Sequence, residues 1–582
     1  MSRYKVFLLQ MLLIMPAALL AEVRSLEQAR DIAYDFMESG VMTRSSFMDL
    51  QMVYNGEDVL TRTVSEPAYY VFNNEAGPGF VIVSAEDSSL PVLGYSRTTN
   101  FNPAGMPSNL RWWLATMRSQ INDLRAAGAP AHVSAPDVGT DVIRYETAVW
   151  NQAYPYNLAC PSYYGEYSMT GCGPTAISIA MRAREWPDAG VGTIPSYTTE
   201  TEQIRVSARK LGTVYDWAGM PLTDGEVSGW TQEQKNQVSR LIADVGAATV
   251  ADYSPESTGI YDDNVPPALT EYFKYDRSMI TAWRETYSAA EWYPLVRNEM
   301  NNGPVVYSGA DDMGGHMFVL DGYTTEDYYH VNWGWGGLAN GYYLLTALNP
   351  AAQGIGSNEL GTYNQYQSII LNFKKDEGGK PEEIIRYYVE DEYKGLVNES
   401  VEFEAGRPYT IYSGYYCNFG TETYKGAIRL VVMGTDQTVR QVVYEEDTEI
   451  ESFYMWYFPG ISITIDSIEP GDCLIAQYYD NLNHEWKMVR GNTDDGVIES
   501  VKLAEDTIEQ TTTLKYNHST LSFTLKTKAG VEVKCTSLDG ESVEVEKNSD
   551  GTYTISMKDR EMSAYHLDLS KGSEFKRIKI TL

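Results

Sequence analysis

The chain has 582 residues, 43% of them hydrophobic, and a formal net charge of −34 at pH 7. This length predicts about three or four domains. The negative charge repels phosphate backbones and anionic lipid, and no run of Lys and Arg interrupts it, so neither nucleic acid nor a membrane surface is expected as a partner. The 44 Tyr against 15 Phe favour strands over helix bundles.

Residues 1–21 have the pattern of a secretory signal peptide. Arg3 and Lys5 precede an apolar stretch over residues 6–20, which Gln10 and Pro16 interrupt. No second long apolar run follows, so a membrane-spanning anchor is the weaker alternative. We therefore expect a secreted protein, which would be extracellular, on the cell surface or periplasmic once the peptide is removed.

Residues 22–140 are predicted to form a small α+β domain. Apolar spacing and turn residues predict, in chain order, a helix from Leu26, a β-hairpin with strands at 69–72 and 80–84, and a helix from Ser108 to Gly128. The segment 126–140 is rich in Ala, Gly, Pro and Val and has no periodicity. It is interpreted as an exposed linker.

Residues 141–375 are predicted to form a larger domain, because helical and strand patterns alternate there. The sequence Ser288-Ala289-Ala290-Glu291 is a capping box that begins a helix ending at Gly303. A charged, glycine-containing segment at 374–381 marks the next boundary. Beyond Pro381 the apolar residues alternate with period two, which predicts a β-sandwich module at 381–505 and a second small β module at 506–582. The fold class as a whole is α+β.

Cys172 is the candidate nucleophile. It stands where a helix begins, since Pro174 suits a first helical turn and the apolar run after it is periodic. A helix start is expected to stabilise the thiolate and lower the thiol pKa. Two alternatives remain open, a buried structural cysteine and a disulfide to Cys160. The chain has five cysteines, so at least one thiol is free.

His316 is the candidate base for this thiol. It lies in a strand entered through Gly314 and Gly315, and a turn at 324–327 leads into a second strand that carries His330 and Asn332. Pairing the two strands as a hairpin places His316 opposite roughly position 335. Asn332, Trp333 and Trp335 then fall beside His316, where an Asn can accept the imidazole proton. A purely structural histidine is the alternative.

At this point the sequence resembles the streptopain-like secreted cysteine proteases, which have papain-like catalytic chemistry. The resemblance is carried by the order and spacing of several motifs: Trp150-Asn151-Gln152, Thr170-Gly171-Cys172, Gly314-Gly315-His316, Asn332-Trp333-Gly334-Trp335 and Leu348-Asn349-Pro350. Upstream, residues 79–84 and 93–96 resemble the family's inhibitory pro-domain. The resemblance does not cover the region after about Lys375.

The resemblance implies a papain-like catalytic domain with Cys172 as nucleophile and His316 as general base and then acid. Gln152 would donate to the oxyanion beside the Cys172 backbone amide, and Asn332 and Trp333 would support the histidine. Taken alone, Gln152 would be read as a structural residue. Residues 22–140 would be the inhibitory pro-domain, acting within the same molecule.

The predicted function is that of a secreted cysteine endopeptidase made as a zymogen, which hydrolyses protein or peptide substrates through a thioester on Cys172. We predict no metal and no cofactor, because the chain has no His-Glu-x-x-His, no Cys-x-x-Cys and no Gly-Lys-Ser/Thr phosphate loop. Two other functions remain open. One is a catalytically silent surface-adhesion or binding protein, and the other is an acyl transferase that uses the same Cys and His.

Overall fold

A computed structural model describes most of the chain, in two compact units. The described residues are 22–40, 49–56, 66–128, 137–223, 227–311, 314–346, 367–389, 394–398, 403–457, 460–504, 507–517, 519–538, 540–558, 560, 563–572 and 574–581. The first unit takes in the described residues up to Ile384, with 419–422 and 492–496, and the second takes in the rest. The predicted signal peptide, most of the predicted linker and the Leu348-Asn349-Pro350 motif lie outside the described residues.

The described part of the first unit contains six α-helices. They are α1 Leu26–Gly40, α2 Ser108–Ala127, α3 Cys172–Arg184, α4 Gln232–Ala248, α5 Val265–Tyr272 and α6 Ala289–Glu299. Local sequence explains their ends. The capping box predicted at Ser288 is present at the start of α6, and α2 ends at Gly128, which has a left-handed conformation.

The strands of this unit are mostly short. They are β1 Leu50–Tyr54, β2 Tyr69–Asn74, β3 Phe80–Ser84, β4 Val92–Ser96, β5 Asp141–Arg144, β6 Ser162–Tyr163, β7 Glu166–Tyr167, β8 Thr193–Ile194, β9 Tyr197–Thr198, β10 Arg205–Val206, β11 Arg209–Lys210, β12 Ile280–Trp283, β13 Val305–Asp311, β14 Gly314–Thr324, β15 Tyr329–Asn332, β16 Gly341–Tyr343 and β17 Ser368–Leu371. Eleven of them form one sheet in the order β1-β2-β3-β4-β16-β15-β14-β13-β17-β12, with β5 paired to β14.

This sheet joins the predicted pro-domain to the predicted catalytic domain. Strand β4 of the first pairs antiparallel with β16 of the second, with Tyr95 opposite Tyr342 and Gly94 opposite Tyr343. The two regions also share one hydrophobic core, in which Trp112 and Tyr95 pack with Phe318, Trp333 and other residues of the catalytic sheet. The two predicted domains are therefore continuous in their hydrogen bonding and in their core.

A second core lies on the other side of β14. It is built from α3, α4 and α5 and includes Ile177, Ile179 and Leu241. Met317 and Val319 of β14 belong to this second core, whereas Phe318 and Leu320 belong to the core shared with the pro-domain. Strand β14 thus alternates between two cores, because successive side chains of a strand point to opposite faces.

The second unit is built almost entirely of strands. They are β18 Ile385–Tyr388, β19 Leu396–Asn398, β20 Pro408–Ser413, β21 Tyr415–Asn418, β22 Tyr424–Met433, β23 Val439–Ile450, β24 Met455–Trp456, β25 Ile461–Thr464, β26 Cys473–Asp480, β27 Glu485–Met488, β28 Ser500–Lys502, β29 Thr513–Asn517, β30 Ser522–Lys526, β31 Glu532–Ser537, β32 Ser542–Val543, β33 Val545–Lys547, β34 Tyr553–Ser556, β35 Ala564–Lys571 and β36 Glu574–Thr581, with one short helix, α7 Ile508–Thr511. One core is formed by residues between Ile385 and Leu503, and another by residues between Ile508 and Ile580. The predicted α+β class, with a β-rich C-terminal region, is confirmed.

Candidate active site

Cys172 is the first residue of α3, as the sequence predicts, and a neighbouring loop packs closely against its two flanking glycines. A Cβ added to Gly171 would lie 2.5 Å from the Thr258 carbonyl oxygen, and one added to Gly173 would lie 2.5 Å from Ile260 Cδ1. Gly171 also has a φ of 83°, in the left-handed region that favours glycine. The glycines are thus required by the fold around the thiol.

The strand that carries His316 contacts the thiol directly. The Met317 backbone N–H donates to Cys172 Sγ at 3.4 Å, and the sulfur lies 3.9 Å from the Gly315 carbonyl oxygen. The residues on either side of His316 therefore both contact the Cys172 sulfur. Sequence reasoning placed this thiol and this histidine together, and the structure brings the Cys172 sulfur into contact with the backbone of the residues before and after His316.

The pKa of the Cys172 thiol is raised above its ordinary value. Burial among protein atoms is the largest cause, since it disfavours the charged thiolate. Backbone N–H groups of Met317 and Gly173 act in the opposite direction, and the buried Asp262 carboxyl adds to the increase. The lowered pKa predicted from the helix start is therefore wrong for this arrangement, because loss of hydration outweighs the helix amides.

The alternative of a disulfide between Cys160 and Cys172 is not found. All five cysteines lie in the described part of the chain, and none of them forms a disulfide there. Cys160 is buried in the second core, and burial raises the pKa of its thiol to about 12. Cys160 is therefore a protonated core residue at neutral pH.

Gln152 lies in the loop before α3 and is buried, with 5% of its surface exposed. Its backbone carbonyl accepts hydrogen bonds from the Thr170 backbone N–H at 3.1 Å and from Thr170 Oγ1 at 3.2 Å, which ties this loop to the chain just before the nucleophile. Its side-chain Nε2 has no hydrogen-bond partner in the part of the chain that the structure describes. A buried, unpaired donor costs about 1–3 kcal/mol, so a group that accepts from it would stabilise the site.

His316 lies on β14 opposite Gly309 of β13. A Cβ added to Gly309 would lie 2.1 Å from Cζ2 of Trp112, a residue of helix α2. Because residues directly opposite each other in an antiparallel pair share a face, the His316 side chain leaves the strand on the Trp112 face. Met317, on the other face, is the residue whose N–H reaches the thiol.

Asn332 ends strand β15, where it lies opposite Val319. Continuing this register would place His316 opposite position 335, as predicted, but β15 ends before that position is reached. The Asn332 amide nitrogen donates to Thr147 Oγ1 at 3.0 Å and to the Ala148 carbonyl at 2.9 Å, and its oxygen accepts from the Gly334 N–H at 3.1 Å. Its predicted contact with His316 stays a prediction.

Trp333 is fully buried in the core shared with the predicted pro-domain. Its indole N–H donates to the Ala339 carbonyl at 3.1 Å, and its ring centroid lies 4.9 Å from that of Phe318. Because Phe318 lies two residues after His316 on the same face of β14, Trp333 packs beside the start of the histidine strand. Its predicted role as a shield for the histidine stays a prediction.

Three residues near the site were missed by sequence reasoning: Trp112, Thr147 and Asp321. Asp321 is fully buried and accepts a hydrogen bond from Thr147 Oγ1. It also lies 3.0 Å from Arg144 Nη1 and 2.5 Å from His330 Nδ1. The sequence signal that could have pointed to Asp321 is a carboxylate in a mostly apolar strand, five residues after His316.

Within the described ranges, no group of three or more His, Cys, Asp and Glu side chains is arranged to hold a metal ion. The same residues include no helix that is both long and apolar enough to span a membrane.

Comparison with known proteins identifies the family. The model of the Peptidase C10 family matches residues 150–343, and that of the Spi protease inhibitor matches residues 17–121. Streptopain of Streptococcus pyogenes is 31% identical over 378 residues, which cover 60% of this chain and 92% of streptopain. The thiol protease/hemagglutinin PrtT of Porphyromonas gingivalis is 32% identical over 327 residues, which cover 53% of this chain but only 37% of PrtT.

Among solved structures, a prointerpain A fragment of Prevotella intermedia is 26% identical, with a TM-score of 0.47, and the match covers 57% of this chain and all of the fragment. Since the match to streptopain extends over nearly the whole length of that protein and the Peptidase C10 segment contains Cys172, His316 and Gln152, the chain belongs to the streptopain-like Peptidase C10 family of cysteine proteases.

Proposed function

We propose that the protein is a secreted cysteine endopeptidase made as a zymogen, with Cys172 as nucleophile and His316 as general base and acid. One observation carries the proposal. The sulfur of Cys172, at the start of α3, accepts a hydrogen bond from the backbone N–H of the residue that follows His316. The nucleophile and the strand that carries its base are thus in contact, although 145 residues separate Cys172 from Met317.

In the proposed reaction, His316 takes the proton of the Cys172 thiol, and the thiolate attacks the carbonyl carbon of the scissile peptide bond. The imidazolium then gives this proton to the departing amine, and the C–N bond breaks to leave a thioester. A water molecule loses a proton to His316 and attacks the thioester. The carboxylic acid departs, and the proton returns to the sulfur.

Gln152 is proposed to stabilise the oxyanion of both tetrahedral intermediates. Its buried Nε2 is unpaired within the described residues, and the Cys172 backbone N–H belongs to the first turn of α3, where N–H groups have no partner inside the helix. Two such donors form an oxyanion hole, in which a single donor contributes several kcal/mol to the rate.

The contacts of helix α2 support the proposal that residues 22–140 inhibit the enzyme in the same molecule. The Trp112 indole N–H donates to the Ala310 carbonyl at 3.1 Å, and Asn109 Nδ2 donates to the Trp333 carbonyl at 2.6 Å. The helix therefore covers the sheet face from which the His316 side chain leaves. Removing it frees that face, so that the histidine strand can rearrange toward the thiol.

The remaining parts of the proposal rest on the sequence. Residues 1–21 are proposed to direct secretion, 141–375 to form the catalytic domain, and 381–505 and 506–582 to form two β modules. Proteins or peptides are the proposed substrates. Recovery of the chain from culture medium without residues 1–21 tests the secretion step.

The central experiment incubates the purified precursor with casein under reducing conditions, sequences its new N-terminus, and labels it with the epoxide inhibitor E-64. We expect casein hydrolysis to begin when the chain is cut within about residues 130–145, and we expect the label on Cys172. The Cys172→Ala variant should be inactive and unlabelled, whereas Cys160→Ala, the matched loss of a buried thiol, should keep both properties.

Three results would contradict the proposal in different ways. Full activity of the uncut precursor would exclude the zymogen. E-64 on Cys160 would exclude the assigned nucleophile. Transfer of the acyl group to an added amine in preference to water would show an acyl transferase.

A further inference from the structure

A buried chain of hydrogen bonds runs from Asp321 through Thr147 to Asn332. Thr147 Oγ1 donates to Asp321 Oδ2, and the Asn332 amide nitrogen donates to Thr147 Oγ1 at 3.0 Å. The three residues are 0%, 9% and 1% exposed, respectively. These bonds are therefore shielded from water. In such a low-dielectric environment, it matters energetically which group donates and which accepts.

The order of donors along this chain follows from elementary chemistry. An ionised carboxylate can only accept, so Thr147 must use its single proton toward Asp321. The Thr147 oxygen can then only accept, which requires the nitrogen end of the Asn332 amide to face it. The amide oxygen is consequently held on the other side, where the Gly334 N–H binds it at 3.1 Å and one lone pair remains for another donor.

Two further side chains, Arg144 and His330, lie against the Asp321 carboxylate. Arg144 Nη1 lies 3.0 Å from Asp321 Oδ1, and Arg144 Nη2 lies 3.2 Å from His330 Nε2. Because a guanidinium only donates, His330 Nε2 must accept from it. The ring proton is then on Nδ1, which donates to Asp321 Oδ1 at 2.5 Å. The carboxylate thus accepts hydrogen bonds from Thr147 and His330 and forms an ion pair with Arg144.

We propose that Asp321 and Thr147 are positioning residues, which fix the Asn332 amide so that its oxygen is presented to the His316 imidazole in the active enzyme. The inference rests on the proposed function, in which Asn332 supports His316. The same chain explains why His330 is present in the site without acting as the base. It also makes the segment from the end of β5 to Thr147 part of the proposed catalytic arrangement, since Arg144 is the last residue of β5 and Thr147 follows shortly after it.

The pairing of β5 with β14 holds this segment in place. Arg144 lies opposite Gly322, the residue after Asp321, and the Tyr145 backbone N–H donates to the Asp321 carbonyl at 2.7 Å. The predicted maturation region ends at about this point. A cut before β5 leaves the chain of hydrogen bonds intact, whereas a cut after Thr147 would remove its middle member.

The experiment compares Thr147→Val, which removes the hydroxyl at constant shape, with Thr147→Ser, which keeps it. Thr249→Val is the matched control, because Thr249 is also buried but its hydroxyl donates to backbone carbonyls of α4. Full-length precursors are matured with bead-bound wild-type enzyme, which is then removed, and active sites are counted with E-64. Values of kcat and KM on one peptide substrate and the melting temperature are measured.

We expect Thr147→Val to lower kcat about tenfold with KM unchanged, since one buried hydrogen bond that acts on the base is lost. Thr147→Ser should stay within about twofold of the wild type, and Thr249→Val should change only the melting temperature. Asn332→Ala should lower kcat at least as much as Thr147→Val. The double variant Thr147→Val/Asn332→Ala should be no slower than Asn332→Ala alone, because both changes remove the same function.

An unchanged kcat in Thr147→Val, or a double variant slowed by the product of the two single effects, would overturn the inference. So would equal losses in Thr147→Val and Thr147→Ser. If Asn332→Ala itself keeps full kcat, the proposed role of Asn332 fails instead, which is a separate result. Thr147→Ala is made in parallel, so that a folding defect caused by the valine leaves a second variant that must show the same loss.

Discussion

The two halves of the candidate site differ in what surrounds them. Cys172 packs against the second core, which is built entirely from residues of the predicted catalytic domain, and Gln152 is hydrogen-bonded to Thr170 just before it. The His316 side chain leaves β14 on the face that packs against Trp112 of the predicted pro-domain. The Trp333 ring lies in the core that this face shares with Trp112. The surroundings of Cys172 therefore lie within the predicted catalytic domain, whereas the surroundings of His316 include residues of the predicted pro-domain.

This difference would give the proposed latency a simple physical form. A zymogen is inactive when only one of its two reacting groups is held out of place. The group that shares a core with the removable domain is the one that this domain can displace directly. The nucleophile half can then stay rigid, as the close packing of the Thr258 carbonyl and Ile260 against its glycines requires. The following experiments test the two halves separately.

The largest effect is expected for the base. His316→Ala should lower casein hydrolysis by at least about a thousandfold, since general acid and base steps both depend on it. His330→Ala is the matched control on the neighbouring strand and should keep much of the activity, because Asp321 retains Arg144 and Thr147. Equal losses in the two variants would show that the base is assigned to the wrong histidine.

The next largest effect is expected for Gln152, the proposed oxyanion donor. Gln152→Ala should lower kcat about 10²- to 10³-fold with little change in KM, because the donor acts on the charge that develops in the transition state. Gln237→Ala, whose side chain contacts Glu233 and Arg240 on the α4 surface, is the control and should have no effect. A Gln152→Ala enzyme with raised KM and normal kcat would mean that Gln152 binds substrate in the ground state.

A smaller effect is expected from loosening the histidine half in the uncut precursor. Trp112→Ala should increase E-64 labelling of Cys172 at least about tenfold, since loss of a buried Trp costs ~3–5 kcal/mol of packing. Trp113→Ala is closely matched, because both indoles are buried and donate to a carbonyl, but Trp113 contacts Leu344 and Tyr343 instead. Equal labelling of the two variants would show that latency does not depend on the Trp112 contact.

The smallest effect is expected in the pH dependence of Cys172 alkylation. In the uncut precursor the raised pKa of Cys172 leaves the thiol protonated at neutral pH, so alkylation by iodoacetamide should be slow there. The rate should rise with pH, with a midpoint above the value of about 8.5 for an ordinary thiol. The matured enzyme should react faster at pH 6 to 7, because an imidazolium beside the sulfur stabilises the thiolate.

The His316→Ala precursor, which cannot mature itself, is the control for this measurement. It should keep the high midpoint after its pro-domain is cut away by added enzyme, since the imidazolium is absent. A midpoint below that of an ordinary thiol in the uncut wild-type chain would contradict the cause assigned here, namely burial of the sulfur.

Much of the local structure could be predicted from sequence because its causes are local. The start of α6 follows from the capping box at Ser288, and the end of α2 follows from Gly128. The hairpin that carries His316 and Asn332 follows from two apolar strands and the turn between them. Each of these features depends on residues that are close neighbours in the chain, and the motif that links Cys172 to the family is equally local.

Other properties were decided only by tertiary structure. Thr147 and Asn332 are 185 residues apart, and Trp112 and Ala310 are 198 residues apart, yet both pairs are hydrogen-bonded. No pattern within either segment specifies such a partner. The sign of the Cys172 pKa shift was decided in the same way, because burial depends on what packs around the sulfur, while the helix start alone predicts the opposite sign.

The sequence by itself therefore predicted a candidate nucleophile and a candidate base and determined the secondary structure that carries them, because spacing and capping act over a few residues. Only the folded chain decided which face of β14 the histidine leaves from and which side chains hold Asn332. Those features arise from the packing of two cores against the two faces of one strand. Their contacts join segments that are distant in sequence, and the register of the sheet sets which residues meet.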